Sequence, residues 1–220
     1  MEIDPMTQEH KRPRGRQTER RLEAENKLLV AAAELIGEVG PTRMTFNDIG
    51  TRAGYSRGLA SHHFGSKNAL IRRIMDKVTE DFHRDLAAHD PDPADVRDGI
   101  REIVLAYYRG LGKSDPMIRA RVALWAAAAV EGSEIDRSHV AAAEERFKDE
   151  IRTRISKGIR SEQIPGDLDT EGFTTVLIAM LRGVAVQLLL DNSVDLDRAA
   201  AETLAFVDGR LARRPQAKPT

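Results

Sequence analysis

The residues of this chain that could do chemistry are mostly cations. Between His10 and Arg21 the chain carries Lys11, Arg12, Arg14, Arg16, Arg20 and Arg21 against one acid, Glu19. A short basic arm ahead of a folded segment is the electrostatic footprint of phosphate binding. Arg14-Gly15-Arg16 is also the kind of step that slips into a narrow A·T minor groove, although Gln17 stands where a full minor-groove hook has proline. A second group follows Gly54: Ser56, Arg57, Gly58, Leu59, Ser61 and His62. Arg57 falls at the start of a short helical pattern, where recognition helices touch base edges. Arginine bonds guanine O6 and N7 bidentately, worth about 1–3 kcal/mol of discrimination. Gly58 leaves room for a close approach, and Leu59 can meet a thymine methyl.

Bond-making chemistry has no comparable set. His62 and His63 are adjacent, so on a helix they point about 100° apart and rarely converge on one atom. His83, His89 and His139 lack metal-ligand spacing, and cysteine is absent. No Gly-rich phosphate loop, nucleophile elbow or apolar carboxylate pair is found. The residues therefore point to binding rather than catalysis, with no metal and no cofactor beyond an unnamed small-molecule effector.

The elements that must position these groups read as helices almost throughout. Apolar spacings of three and four predict helices over about 18–39, 46–53, 57–64, from Ser66 to about 89, and over 94–111, 116–131, 134–160, 169–190 and 197–212. An all-α fold of about nine helices is expected. Thr45 can cap the second helix with Asp48 completing a capping box, Gly54 can end it in a left-handed backbone, and Ser56 and Ser66 can cap the next two. Two short helices joined by Gly54-Tyr55-Ser56 make a helix-turn-helix. Ile49, Ala53, Tyr55, Ala60 and Phe64 supply its core, which leaves Arg57, Gly58, Ser61 and His62 facing outward.

The run Thr45-Phe46-Asn47-Asp48-Ile49-Gly50-Thr51-Arg52-Ala53-Gly54-Tyr55-Ser56, then Arg57-Gly58-Leu59-Ala60-Ser61-His62-His63-Phe64-Gly65-Ser66-Lys67-Asn68-Ala69-Leu70, resembles the DNA-binding head of the TetR family. Leu28-Leu29-x-x-Ala32-Ala33-x-Leu35-Ile36-x-x-Val39-Gly40 is similar to that family's first helix. The body, with Trp125 and its alanine run, is most similar to the BetI-like C-terminal class. The resemblance implies a transcriptional regulator, a repressor released from DNA by a small molecule. It implies DNA contacts from Arg14, Arg16, Thr45, Ser56, Arg57, Gly58, Leu59, Ser61, His62 and Lys67, the last to a phosphate. Two positions depart from the family. Ser61 replaces a common tyrosine that touches phosphate, which shifts backbone contact toward His62 and the arm. Ala69 stands where an acidic residue often completes a cap.

The chain then divides into a basic flexible arm (1–19), a DNA-binding domain (20–66), a ligand-binding and dimerisation domain (67–212) and a disordered tail (213–220). The eighth helix is apolar nearly all round and needs cover on two sides. One side can pack on its own chain, and the other on a second copy with helix nine beside it. Phe173, Leu177, Leu181, Val184, Leu188, Leu204 and Leu211 are the expected dimer residues. A homodimer suits a pseudo-palindromic double-stranded operator. Tyr107, Tyr108, Met117, Arg121, Trp125, Phe147, Met180 and Gln187 are the candidate ligand contacts. Arg121 and Arg182 are charges in apolar segments, which is costly without a partner. Each meets either an anionic ligand or an acid such as Glu102, Glu131 or one across the dimer. A body with no cavity would instead favour control by a protein partner, and an all-helical enzyme is the remaining alternative.

Charge agrees once it is divided. The chain's −1 hides 13 basic and 9 acidic residues up to Met75, a net of +4, and 21 basic and 26 acidic residues beyond it, a net of −5. The longest apolar run, Val122–Val130, is short of a membrane span, and the basic start lacks the apolar core of a signal peptide. With no cysteine, a cytoplasmic location is the expectation.

Overall fold

The computed structural model describes residues 14–89, 95–113, 115–130 and 135–212, with side chains from residue 18 on. Among these residues there are nine helices and no strand. The first, α1 (Arg14–Val39), begins four residues before the apolar pattern does. Gln, Glu, Arg and Leu favour helix and no proline interrupts them after Pro13. The last six residues of the expected flexible arm, 14–19, therefore have helical backbone, and the 19/20 division falls inside α1.

The head follows its local signals. In α2 (Phe46–Ala53) Thr45 and Asp48 form the reciprocal capping box, and Gly54 ends the helix at φ 75°. The Ser56 hydroxyl caps α3 (Arg57–Phe64) by accepting from the Leu59 amide. The Ser66 hydroxyl accepts from the Ala69 amide at 3.1 Å and starts α4 (Lys67–His89). Side-chain caps of this kind satisfy amides that a helix start leaves unpaired.

In the body, α5 (Val96–Gly112), α6 (Pro116–Ala129), α7 (Arg137–Arg160), α8 (Thr170–Leu190) and α9 (Leu196–Leu211) are each capped by an aspartate: Asp95, Asp115, Asp136, Asp169 and Asp195. These caps fix the starts. Asp95 opens α5 two residues later than periodicity predicts, and Asp136 opens α7 three residues later.

Two apolar cores result. In the first, Leu28, Leu29, Ala32 and Ile36 of α1 meet Ile49, Ala60, Leu70 and Ile74, together with Ala120 and Leu124 of α6. The head is thus packed on the body through α1 against α6. In the second, Ile100, Ile103, Ile151, Ile155, Leu177 and Leu181 lock α5, α7 and α8 together. Each such side chain contributes about 1.5–3 kcal/mol on burial.

This second core takes up four of the seven expected dimer residues. Phe173, Leu177, Leu181 and Leu211 are buried inside the chain itself. Val184, Leu188 and Leu204 are half-buried at its margin. Periodicity could not phase a helix that is apolar all round. The face of α8 left outward carries Val176, Val186 and Leu190, which are 45%, 43% and 84% exposed. By length and composition α8 could cross a membrane, but one of its faces is core.

Candidate functional site

The first candidate surface is built on α3. Helix α2 is fastened to α1 by Arg52, whose guanidinium donates to both carboxylate oxygens of Glu38, each at 2.7 Å. Arg52 is therefore committed within the head. Helix α3 crosses α2 closely because Gly50 has no side chain. A Cβ there would lie 2.9 Å from the Ser56 carbonyl carbon and the Tyr55 oxygen. The Tyr55 amide also donates to the Gly50 carbonyl at 2.8 Å. Nothing in the sequence marks Gly50 for this role, since close approach between segments leaves no local signal.

With Ala60 fully buried beneath it, α3 turns Arg57, Gly58 and His62 outward, and Leu59 and Ser61 are half-buried. Arg57 makes no ion pair among the described residues. The Ser61 hydroxyl donates to the Gly58 carbonyl at 3.3 Å. Thr45 and Ser56 use their hydroxyls as caps. Lys67 donates to the Thr42 carbonyl at 2.9 Å, which ties the start of α4 to the α1–α2 loop. Arg14 and Arg16 lie in the first turn of α1, and their side chains fall outside the described residues.

The second site is a cavity of about 40 Å³ among α4, α5, α6, α7 and α8. Phe82, Tyr107, Arg121, Trp125, Phe147 and Arg182 are among its walls. An adjoining cavity of about 60 Å³ shares Phe82, Tyr107 and Arg121 and adds Met117. Five of the eight expected ligand contacts therefore line one or both cavities: Tyr107, Met117, Arg121, Trp125 and Phe147. Three do not. Tyr108 turns toward α9, its hydroxyl 2.9 Å from the Thr203 hydroxyl. Met180 is half-buried and Gln187 exposed, and neither lines the cavities. The cavity wall from α8 is Ile178, Leu181 and Arg182. Gln187 follows Ile178 by nine residues, about half a turn away around the helix.

The cavity is aromatic, and it is charged. Phe147 stacks on Tyr107 with centroids 6.5 Å apart and meets Phe82 edge-on at 5.5 Å. The Arg121 guanidinium lies 4.8 Å from the centroid of Trp125 and 5.3 Å from that of Tyr107, and Arg182 lies 4.7 Å from Trp125. Arg182 pairs with Glu144. Burial, and to a smaller extent the neighbouring Arg121 charge, pull the Arg182 pKa down to about 10. Arg121 has no carboxylate within 4.0 Å among the described residues. The expected partner Glu102 pairs with Arg109 instead, and Glu131 lies outside the described residues. Tyr107 Oη, Arg121 Nε and Trp125 Nε1 are buried without a hydrogen-bond partner. Burial pushes the Tyr107 phenol up, an effect that the Arg121 and Arg182 charges and a polar contact with Arg121 only partly offset. At the rim, His83 Nε2 is 3.0 Å from Glu150. Nothing in the sequence marks Phe82 and Glu144, which lie on ordinary amphipathic helices far from their partners in the chain.

The two sites share their supports. Helix α4 gives Phe82 to the cavity and Leu70 and Ile74 to the head core. Helix α6 gives Arg121 and Trp125 to the cavity and Ala120 and Leu124 to the core beneath α1.

Comparison with known proteins agrees with this arrangement. Residues 28–74 match the model of bacterial regulatory proteins of the tetR family, and residues 91–212 match that of the BetI-type transcriptional repressor C-terminal region. The HTH-type transcriptional regulator BetI of Rhizobium meliloti (strain 1021) is 28% identical over 193 residues, covering 84% of this chain and 87% of that protein. An HTH-type transcriptional repressor of Mycobacterium tuberculosis (strain ATCC 25618 / H37Rv) is 33% identical over 96 residues, 44% of this chain. That match spans 47% of the mycobacterial protein, about half its length. A transcriptional regulator from Saccharomonospora viridis, solved in complex with choline, superposes with a TM-score of 0.72 at 20% identity, covering 88% of this chain and all of that one.

Proposed function

The chain belongs to the TetR family of bacterial regulatory proteins, with a BetI-type body, and from that premise we propose that it is a homodimeric transcriptional repressor whose operator is released when a small molecule enters the cavity around Trp125 and Arg121. The observation that carries this reading is the double duty of α4 and α6, each of which walls the cavity and supports the head. An effector that prefers one spacing of these helices biases the placement of α3 in both copies. By linkage, DNA weakens the effector by the same factor.

On DNA, Arg57 reads a base edge, Gly58 and Leu59 lie against the groove, and Ser61, His62 and Lys67 hold the phosphate backbone. Thr45 and Ser56 hold the two helices in place beside it. Arg14 and Arg16 add charge from the first turn of α1. Residues 20–66 act as the DNA-binding unit and 67–212 as the effector and dimer unit. The dimer forms on the outward face of α8, around Val176, Val186 and Leu190, with α9 beside it. Such a repressor works in the cytoplasm, without a membrane and without catalysis.

The test is binding of the full chain to DNA from the region upstream of its own coding sequence. Affinity should fall steeply with salt as phosphate counterions are released. Absence of binding at low salt refutes the reading. Val186→Asp places a charge in the dimer face and should give monomers by sedimentation, with operator binding lost; a dimer that persists refutes the assigned face.

A further inference from the structure

Four aromatic rings near one another suit a quaternary ammonium ligand, whose charge is attracted to ring faces. Here that role is already filled by the protein's own cations. Arg121 stands over Trp125 and Tyr107, and Arg182 stands over Trp125. A ligand cation would meet three guanidiniums of the lining, Arg121, Arg146 and Arg182, against one carboxylate, Glu144. Of the four buried polar atoms of this lining without a hydrogen-bond partner, one is an acceptor, Glu144 Oε2, which is ion-paired with Arg182. The other three, Tyr107 Oη, Arg121 Nε and Trp125 Nε1, each bring an N–H or O–H. Three donors from two helices of one cavity, α5 and α6, call for an acceptor. A carboxylate offers two oxygens and about four lone-pair sites. Because Glu144 answers Arg182 and Asp76 answers Arg146 at 3.6 Å, Arg121 is the one guanidinium of this lining left without a carboxylate, a charge that a monoanion matches and a dianion exceeds.

We propose that the effector is a monocarboxylate with an apolar or aromatic body, its carboxylate held by Arg121 with Tyr107 and Trp125, and its body against Phe82, Phe147 and Ile178. Quaternary ammonium compounds are excluded. This rests on the reading that the cavity is the effector site.

The chain has a single tryptophan, Trp125, so intrinsic fluorescence of the full-length protein reports on this cavity alone. Phenylacetate, its uncharged counterpart phenylacetamide, and choline are the probes. Phenylacetate should shift Trp125 emission and bind about ten- to hundredfold more tightly than phenylacetamide, the range of a hydrogen bond to a charged group. Choline should leave the emission unchanged. Arg121→Gln should remove the advantage of phenylacetate over phenylacetamide, and Glu144→Gln, which frees Arg182, should tighten phenylacetate. If Arg121→Gln does not fold, Tyr107→Phe provides the same comparison with one donor removed. Equal affinity for phenylacetate and phenylacetamide, a response to choline, or no response to millimolar phenylacetate overturns the proposal. Operator binding is followed in parallel. Release by choline sinks the anion inference and leaves the effector-controlled repressor standing. A Trp125 response to phenylacetate with the operator still bound does the reverse.

Discussion

Tyr107→Phe tests the idea that the cavity is held in a costly state for the sake of its ligand. The Tyr107 side chain is 5% exposed, and its hydroxyl has no hydrogen-bond partner. Because burial pushes the phenol's pKa up from its ordinary value near 10, the group is a protonated donor at neutral pH. A buried hydroxyl left unsatisfied costs about 1–3 kcal/mol. Phenylalanine keeps the ring, and with it the stacking on Phe147 and the contact with Arg121. Removing the oxygen should therefore stabilise the protein by about 1–3 kcal/mol. For a chain of this size each kcal/mol moves Tm by roughly 2–4 °C, so Tm should rise by about 2–12 °C. The assay is thermal unfolding of wild type and variant without ligand, at equal protomer concentration because a dimer's Tm depends on it. Effector affinity should fall in the same variant. An unchanged or lowered Tm would show that the hydroxyl has a partner in solution, and the reading of Tyr107 as an idle donor would fail.

Three further outcomes follow from the head and the rim. Gly50→Ala drives a Cβ into backbone at 2.9 Å and should destabilise the head by about 1–3 kcal/mol, with operator binding lost while the helical signal of the body persists; normal operator affinity refutes it. Arg57→Ala should relax base preference at one position by about 1–3 kcal/mol, whereas Lys67→Ala should weaken all sequences alike in a competition assay; identical profiles would remove the roles assigned to them. His83 is raised above its ordinary pKa of about 6.5 by its hydrogen bond to Glu150, against burial and the charges of Arg154 and Arg146. The stability this pair contributes is complete below about pH 6.5 and is lost as pH rises through the raised value. The Tm difference between wild type and His83→Ala should therefore shrink from about pH 6 toward alkaline pH, and a constant difference across that span contradicts it.

What the sequence made legible was local. The capping box of Thr45 and Asp48, the left-handed Gly54, the Ser56 cap and Asp115-Pro116 each act within four residues, and each is found as read. What it left illegible was rotational or long-range. Helix α8 offers apolar residues on every side, so only its packing on α5 and α7 reveals that Leu177 and Leu181 face inward and Val186 outward. Arg121 and Arg182 could be recognised as charges in apolar segments, but not their partners. Glu102 lies one helical face from Arg109 and is taken by it, and Arg182 finds Glu144 thirty-eight positions away on another helix. The crossing at Gly50 depends on backbone six residues further along, and a glycine in a helix gives no sign of which segment approaches it.

The size of the cavity bears on how such a protein would switch. At about 40 Å³ and 60 Å³, the two spaces hold about three or four and about four to six waters, at roughly 10–15 Å³ per water. Phe82, Tyr107 and Arg121 form the wall between them. A carboxylate with a ring or short chain fits only if that wall moves and the two spaces join. Tyr107 belongs to α5 inside the second core, whereas Phe82 and Arg121 sit on the two helices that carry the head. The displacement therefore falls on α4 and α6. Moving an equilibrium from 1:99 to 99:1 requires the effector to favour the open form by about 10⁴-fold, roughly 5.5 kcal/mol. Satisfying one buried donor is worth about 1–3 kcal/mol. Three donors satisfied only in the open form bring the difference into that range, while an apolar ligand of the same shape would leave all three unpaired and fall short of it.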